Sequence, residues 1–107
     1  MTKHEKNVIQ WLFEPFTTKV LMHFWTFKEF GYDMKNLKRI HGDIDNLQFA
    51  IQKLTMMKLV RMDTNQDGII KYKYNTDSSI GRAFEQFMME IVNINLNYFH
   101  SQGENVS

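Results

Sequence analysis

A chain of 107 residues that is 43% hydrophobic and 14% aromatic has enough apolar surface for one folded domain with a single core, which excludes an intrinsically disordered polypeptide. Its formal net charge of +1 supplies no global drive toward nucleic acid, anionic membrane or acidic substrate, so any electrostatic argument rests on local patches. With no cysteine, disulfides, thiolate metal sites and cysteine nucleophiles are excluded, and the composition fits a reducing cytoplasm.

The first apolar stretch, within MTKHEKNVIQWLFEPF, is interrupted by Gln10, Glu14 and Pro15. It is too short to span a membrane and lacks a small-residue cleavage site, so a soluble, cytoplasmic protein is expected. Val8, Ile9, Leu12 and Phe13 lie on a helical stripe over residues 5–13, which stops before Pro15, a residue suited to open the next helix. Val20, Leu21, Phe24, Trp25 and Phe27 mark a second helix over residues 17–30, closed by Gly31. MKNLKRIH predicts a short third helix, opened near Asp33 and ended by Gly42.

Asp43 and Asp45 suit the start of a fourth helix, because carboxylates satisfy the free N–H groups there. Leu47, Ile51 and Leu54 form its buried stripe, and it runs to about Lys58. LVRM and IIKYKY, two strand-like runs around the turn-prone DTNQDG, predict a β-hairpin. A long helix follows from Asp77 to about His100, apolar along Ile80, Phe84, Phe87, Met88, Ile91, Ile94 and Tyr98, and widened by Met89, Val92, Leu96 and Phe99. The chain is therefore read as mainly α with a small β-hairpin (α+β), a single domain over residues 1–100. It divides into an N-terminal helix (1–16), a core (17–76) and a C-terminal helix (77–100), with a flexible polar tail at 101–107.

DTNQDGII also spells the opening of an EF-hand loop, with Asp63, Asn65 and Asp67 at the first three ligand positions and Gly68 at the turn. The twelfth position, which needs a bidentate Glu, is Tyr74, and the ninth is Lys71. With an alternating strand on one side instead of a helix, the stretch reads as a hairpin tip whose Asp, Asn and Gly are turn formers.

Two short helices joined at a Gly and followed by a hairpin give the layout of a winged helix-turn-helix. Over Thr18 to Phe87, about two-thirds of the chain, the sequence resembles the MarR, ArsR and PadR-like group of regulators. "DIDNLQFAIQKLTMMKLVRM" resembles a recognition helix entering the first wing strand, and "DGIIKYKY" with "IGRAFEQF" resembles the second wing strand and the start of the terminal helix. The chain departs from that pattern at Lys58, where such proteins usually have Gly, so a differently built turn is expected. Between Thr76 and Gly81 it is longer by about two residues.

The resemblance implies a homodimer that binds double-stranded DNA, most directly as a transcriptional regulator. With Leu47, Ile51 and Leu54 buried, Asp45, Asn46, Gln48, Phe49, Gln52 and Lys53 are the outward positions of the recognition helix. Asn46, Gln48 and Gln52 suit base edges because an amide donates and accepts at once. Asp43 and Asp45 are unwelcome near phosphate. Lys35, Lys38, Arg39, Arg61, Lys71 and Lys73 are candidate phosphate contacts, the last two alternating on one strand. Alternating lysines can equally guard a sheet edge.

Left exposed, Phe84, Phe87, Met88, Ile91 and Tyr98 would form a large apolar patch, so a two-fold interface with Trp11 and Phe13 is expected. His4, His23, His41 and His100 stand apart, without metal-ligand spacing, and His23 reads as a core or interface residue. No nucleophile motif or phosphate-cradling glycine loop is present, so neither an enzyme nor a cofactor is expected. Two other functions fit the same residues: a partition or replication adaptor coating repeated DNA sites, and an interaction module that binds another protein instead of DNA.

Overall fold

The computed structural model describes residues 7–105. Along the chain run α1 (Val8–Leu12), α2 (Pro15–Thr26), α3 (Met34–His41), α4 (Ile44–Met56), β1 (Val60–Thr64), β2 (Ile70–Tyr74) and α5 (Ser79–Asn105). The fold is mainly helical with one antiparallel hairpin.

Helix α1 is short and needs help to persist. Asn7 supplies it: its side chain accepts from the Gln10 amide at 2.9 Å, while the Gln10 side chain accepts from the Asn7 amide at 2.9 Å. Pro15 opens α2, and Thr18 Oγ1 donates to the Leu12 carbonyl at 2.6 Å, fixing α1 against α2. Helix α2 ends at Thr26, before the predicted stop at Gly31, because Phe27 already leaves helical geometry. Tyr32 then forms an isolated bridge with Tyr72, its amide 2.8 Å from the Tyr72 carbonyl and the reverse bond at 2.7 Å. Asp33 caps α3 by accepting from the Asn36 amide at 2.7 Å, as the sequence predicts.

Two turns differ from expectation. Asp43 does precede α4, but at φ 39°, and its side chain makes no cap bond. Its carboxylate accepts from the Asn46 side-chain amide at 2.6 Å instead. At the other end of α4, Lys58 has φ 64°, the left-handed conformation that Gly usually supplies. The Leu59 amide bonds the Leu54 carbonyl at 3.0 Å and the Lys58 amide bonds Thr55 at 3.0 Å, the paired bonds of a Schellman stop. The turn is therefore the glycine-type turn, built on a lysine.

In the hairpin, Val60 pairs with Tyr74 and Thr64 with Ile70. Through the Tyr32 bridge, β2 is flanked on both sides, with Tyr32 on one edge and β1 on the other. Asn65 organises the tip: its side-chain oxygen accepts from the amides of Asp67 and Ile69, each at 2.9 Å, while Gly68 takes φ 79°.

The core lies between α2, α3, α4 and the hairpin, with Val20, Leu21, Phe24, Leu37, Leu47, Ala50, Ile51, Leu54, Leu59, Val60 and Tyr74 at 3% exposure or less. Helix α5 is held at its first turns. Ser78 Oγ accepts from the Gly81 amide at 2.9 Å and donates to the Lys58 carbonyl at 2.6 Å, and the Tyr74 hydroxyl donates to the Gly81 carbonyl at 2.6 Å. Phe84 packs on the core and Met88 is buried. The helix continues to Asn105, past the predicted end at His100, so residues 101–105 are helical where a tail was expected; Val106 and Ser107 lie outside the described residues. The radius of gyration is 16.6 Å, against roughly 13 Å for a compact chain of this length, so the fold is elongated, with principal extents of 55 × 42 × 29 Å.

Candidate functional site

Helix α4 turns Leu47, Ala50, Ile51 and Leu54 inward, and its remaining surface divides into two faces. On the first, exposed Gln48 and Gln52 look toward the hairpin. They line a groove of about 350 Å³ with Met34, Ile51, Thr55, Met62 and Tyr72. The alternation of the strand sets this geometry: Met62 and Tyr72 are register partners and share one face of the hairpin. Each glutamine presents a donor and an acceptor to whatever enters the groove.

The second face looks toward α1. Phe49 and Met56 are exposed there, and Lys53 between them is not: it is 4% exposed, its ammonium 3.4 Å from the Phe49 ring centre and 5.0 Å from that of Trp11. The expectation that Lys53 points outward is thus corrected, because two aromatic faces cover its stem and hold its charge. Asn46 is at the surface with its amide already donating to Asp43, and Asp45 is exposed beside it.

The predicted cations do not converge on one spot. Arg61 and Asp63 of β1 are register partners of Lys73 and Lys71 of β2, so all four share the hairpin face opposite Met62 and Tyr72. The Arg61 guanidinium is engaged by Asp63 at 3.1 Å and Asp77 at 3.0 Å. Lys71 is exposed and Lys73 half-buried, and neither makes an ion pair among the described residues. Lys35, Lys38 and Arg39 project from α3. Arg39 borders a separate cleft of about 430 Å³ with Phe27, Phe30, Tyr32, Asn36 and Ile40.

The predicted interface residues also divide. Phe13, Phe87 and Tyr98 are 70%, 58% and 59% exposed, while Trp11, Phe84 and Ile91 are half-buried. Met88, expected in the interface, is spent on the chain's own core at 9% exposure. Leu12, Phe13, Thr18, Leu21, Phe84 and Phe87 surround an apolar cleft of about 250 Å³ between α1, α2 and α5.

One pair escaped the sequence reading. His23 and His41, 18 positions apart, meet with Nδ1 and Nε2 at 3.3 Å. No local spacing could announce them, since only the packing of α3 on α2 brings them together. Among the described residues no group of three or more His, Cys, Asp or Glu converges as a metal site, and no helix is long and apolar enough to cross a membrane. The chain matches no family model, no curated protein and no solved structure.

Proposed function

We propose that this chain is a winged helix-turn-helix protein that binds double-stranded DNA as a homodimer and acts as a transcriptional regulator. In this reading α3 and α4 are the helix pair, α4 enters the major groove, the β1–β2 hairpin is the wing and α5 is the dimerisation helix. The observation that carries it is the groove between α4 and the hairpin, where Gln48 and Gln52 stand exposed as bidentate readers of adenine. Supporting it, Tyr32 bridges β2 ahead of the helix pair, as the short third strand of a winged helix does. Lys35, Lys38, Arg39, Lys71 and Lys73 make no ion pair among the described residues and are available to phosphates. Arg61 and Lys53 contribute less to binding, being engaged within the protein.

The homodimer is supported by α5. Ile80, Phe84, Phe87, Ile91, Ile94 and Tyr98 follow alternating spacings of four and three, the seam of a coiled coil, and Phe87, Ile94 and Tyr98 are more than half exposed on it. Sedimentation equilibrium tests this directly: a dimer is expected, and Phe87→Glu with Ile94→Glu returns it to monomer.

DNA binding is tested by titrating the protein with random duplex and with DNA from its own locus. Preference for one operator in that locus favours the regulator; cooperative spreading on repeated sites favours a partition or replication adaptor. A protein-interaction module is the second reading, and the face formed by exposed Phe49 and Met56 beside Trp11, with Asp45 at its start, favours it. It predicts that Lys71→Glu with Lys73→Glu leaves all binding intact.

A further inference from the structure

His23, within α2, and His41, the last residue of α3, meet edge to face with ring centroids 4.9 Å apart. Aromatic rings enclose them: Phe16 lies 6.3 Å from His41, and Phe24, Phe27 and Tyr32 lie 6.1, 5.4 and 4.9 Å from His23. The direction of the 3.3 Å bond between His41 Nε2 and His23 Nδ1 follows from what lies behind it. His41 Nδ1 is buried without a hydrogen-bond partner. A buried unpaired N–H is tolerated less than a buried lone pair, so His41 carries its hydrogen on Nε2 and donates to His23 Nδ1. A further proton then has two destinations. On His23 Nδ1 it meets the incoming N–H and destroys the bond; on His41 Nδ1 it creates a buried N–H with no acceptor.

We infer that the His23–His41 pair is a pH-sensitive latch that, when neutral, fastens the end of α3 to α2 and, when protonated in acid, releases α3 from the core. The surroundings all act in one direction. Burial first, then the neighbouring His23 and Lys19, push His41 down to about 4, and burial lowers His23 as well. From α2 the charged group acting on the pair is Lys19; from the segment before α3, Tyr32 contributes its ring. Among the described residues no carboxylate acts on either imidazole.

Because the folded-state values lie below the ordinary 6.5, the latch is fully formed above that pH and weakens as pH falls toward the folded values. Within that window each unit of pH disfavours the closed pair about tenfold per imidazole. Since α3 supports α4, release also weakens DNA binding, a consequence that rests on the proposed function; the latch itself does not.

The test is amide hydrogen exchange of the full chain at about pH 7.5 and about pH 5, corrected for intrinsic exchange, on the wild type and on His23→Asn/His41→Gln. That double variant keeps an N–H···O bond between the same positions and cannot titrate. Protection of Met34–His41 is expected to fall about tenfold or more in the wild type and to stay level in the variant. Equal wild-type protection at both pH values, or the same fall in the variant, overturns the latch.

Should the variant fail to fold, NMR titration of the wild-type rings decides: both histidines titrating below the ordinary 6.5 supports the latch, and either titrating at 6.5 or above overturns it. DNA titrations at the same two pH values separate the readings. An acid-released α3 in a protein that binds no DNA at either pH leaves the latch standing and removes the DNA reading.

Discussion

Gly81 is the residue on which the attachment of α5 depends. Its backbone is ordinary helix, so its importance is a matter of space. A Cβ there would overlap the Asn75 carbonyl oxygen, with Ser78 Oγ at 2.8 Å and the Asn75 carbonyl carbon at 3.1 Å. Asn75 cannot retreat, because its amide bonds the Leu59 carbonyl at 2.9 Å. Helix α5 must move instead, breaking the Tyr74 hydroxyl bond to Gly81 at 2.6 Å and the Ser78 cap at 2.9 Å. Overpacking costs about 1–3 kcal/mol, and leaving the Tyr74 hydroxyl buried without its acceptor adds about 1 kcal/mol or more.

Gly81→Ala is therefore expected to lose about 3 kcal/mol, a fall of about 12 °C in Tm for a chain of this size. Urea unfolding followed by tryptophan fluorescence, at one fixed protein concentration, measures it. Gly31→Ala is the control: its Cβ would meet Lys71 carbons at 3.5 and 3.6 Å, ordinary contacts, so a change within about 0.5 kcal/mol is expected. A Gly81→Ala variant equally close to wild type would refute the reasoning.

Lys58→Gly removes the strain of a left-handed lysine at φ 64° and is expected to stabilise the fold by about 0.5–1 kcal/mol in the same assay. Asn65→Ala deprives the Asp67 and Ile69 amides of their acceptor and is expected to cost about 1–2 kcal/mol and to raise amide exchange at the hairpin tip. On DNA, Gln52→Ala is expected to lower the preference for the cognate site by about 1–3 kcal/mol and to spare binding to random duplex. Lys53→Met, which removes an ammonium seated against Trp11 and Phe49 rather than in the groove, is expected to change neither kind of binding. A cognate affinity lost with Lys53→Met and kept with Gln52→Ala would reverse the roles of the two faces of α4.

The sequence made its local signals plain. Pro15, the Asp33 cap, the Gly42 stop and the alternation around DTNQDG each act within a few residues, and α3 and the hairpin lie where those residues predict. The misses have nonlocal causes. Lys53 occupies a solvent-side position by helical periodicity, yet Trp11 from α1 reaches over it. Met88 lies on the same apolar stripe as Phe87, but the packing of α5 on the rest of the chain buries one and leaves the other exposed. Lys58 takes the conformation of a glycine because the bonds from Leu59 and Lys58 to α4 require it, whatever residue stands there. Asp43 caps by position alone, its carboxylate being drawn to Asn46. The His23–His41 contact depends wholly on how α3 packs on α2.

The central claim is that the α4 groove and the hairpin engage DNA, and salt-dependent binding tests it most directly. Affinity for duplex from the protein's own locus would be measured across a range of salt concentrations, for wild type and for Lys71→Glu with Lys73→Glu. If Lys35, Lys38, Arg39, Lys71 and Lys73 of each protomer meet phosphates in a dimer, log affinity falls against log salt with a slope between about −4 and −9. The charge reversal then weakens binding and flattens the slope. No binding at low salt, or binding indifferent to both salt and charge reversal, would contradict the claim and turn attention to a protein partner on the Phe49–Met56 face.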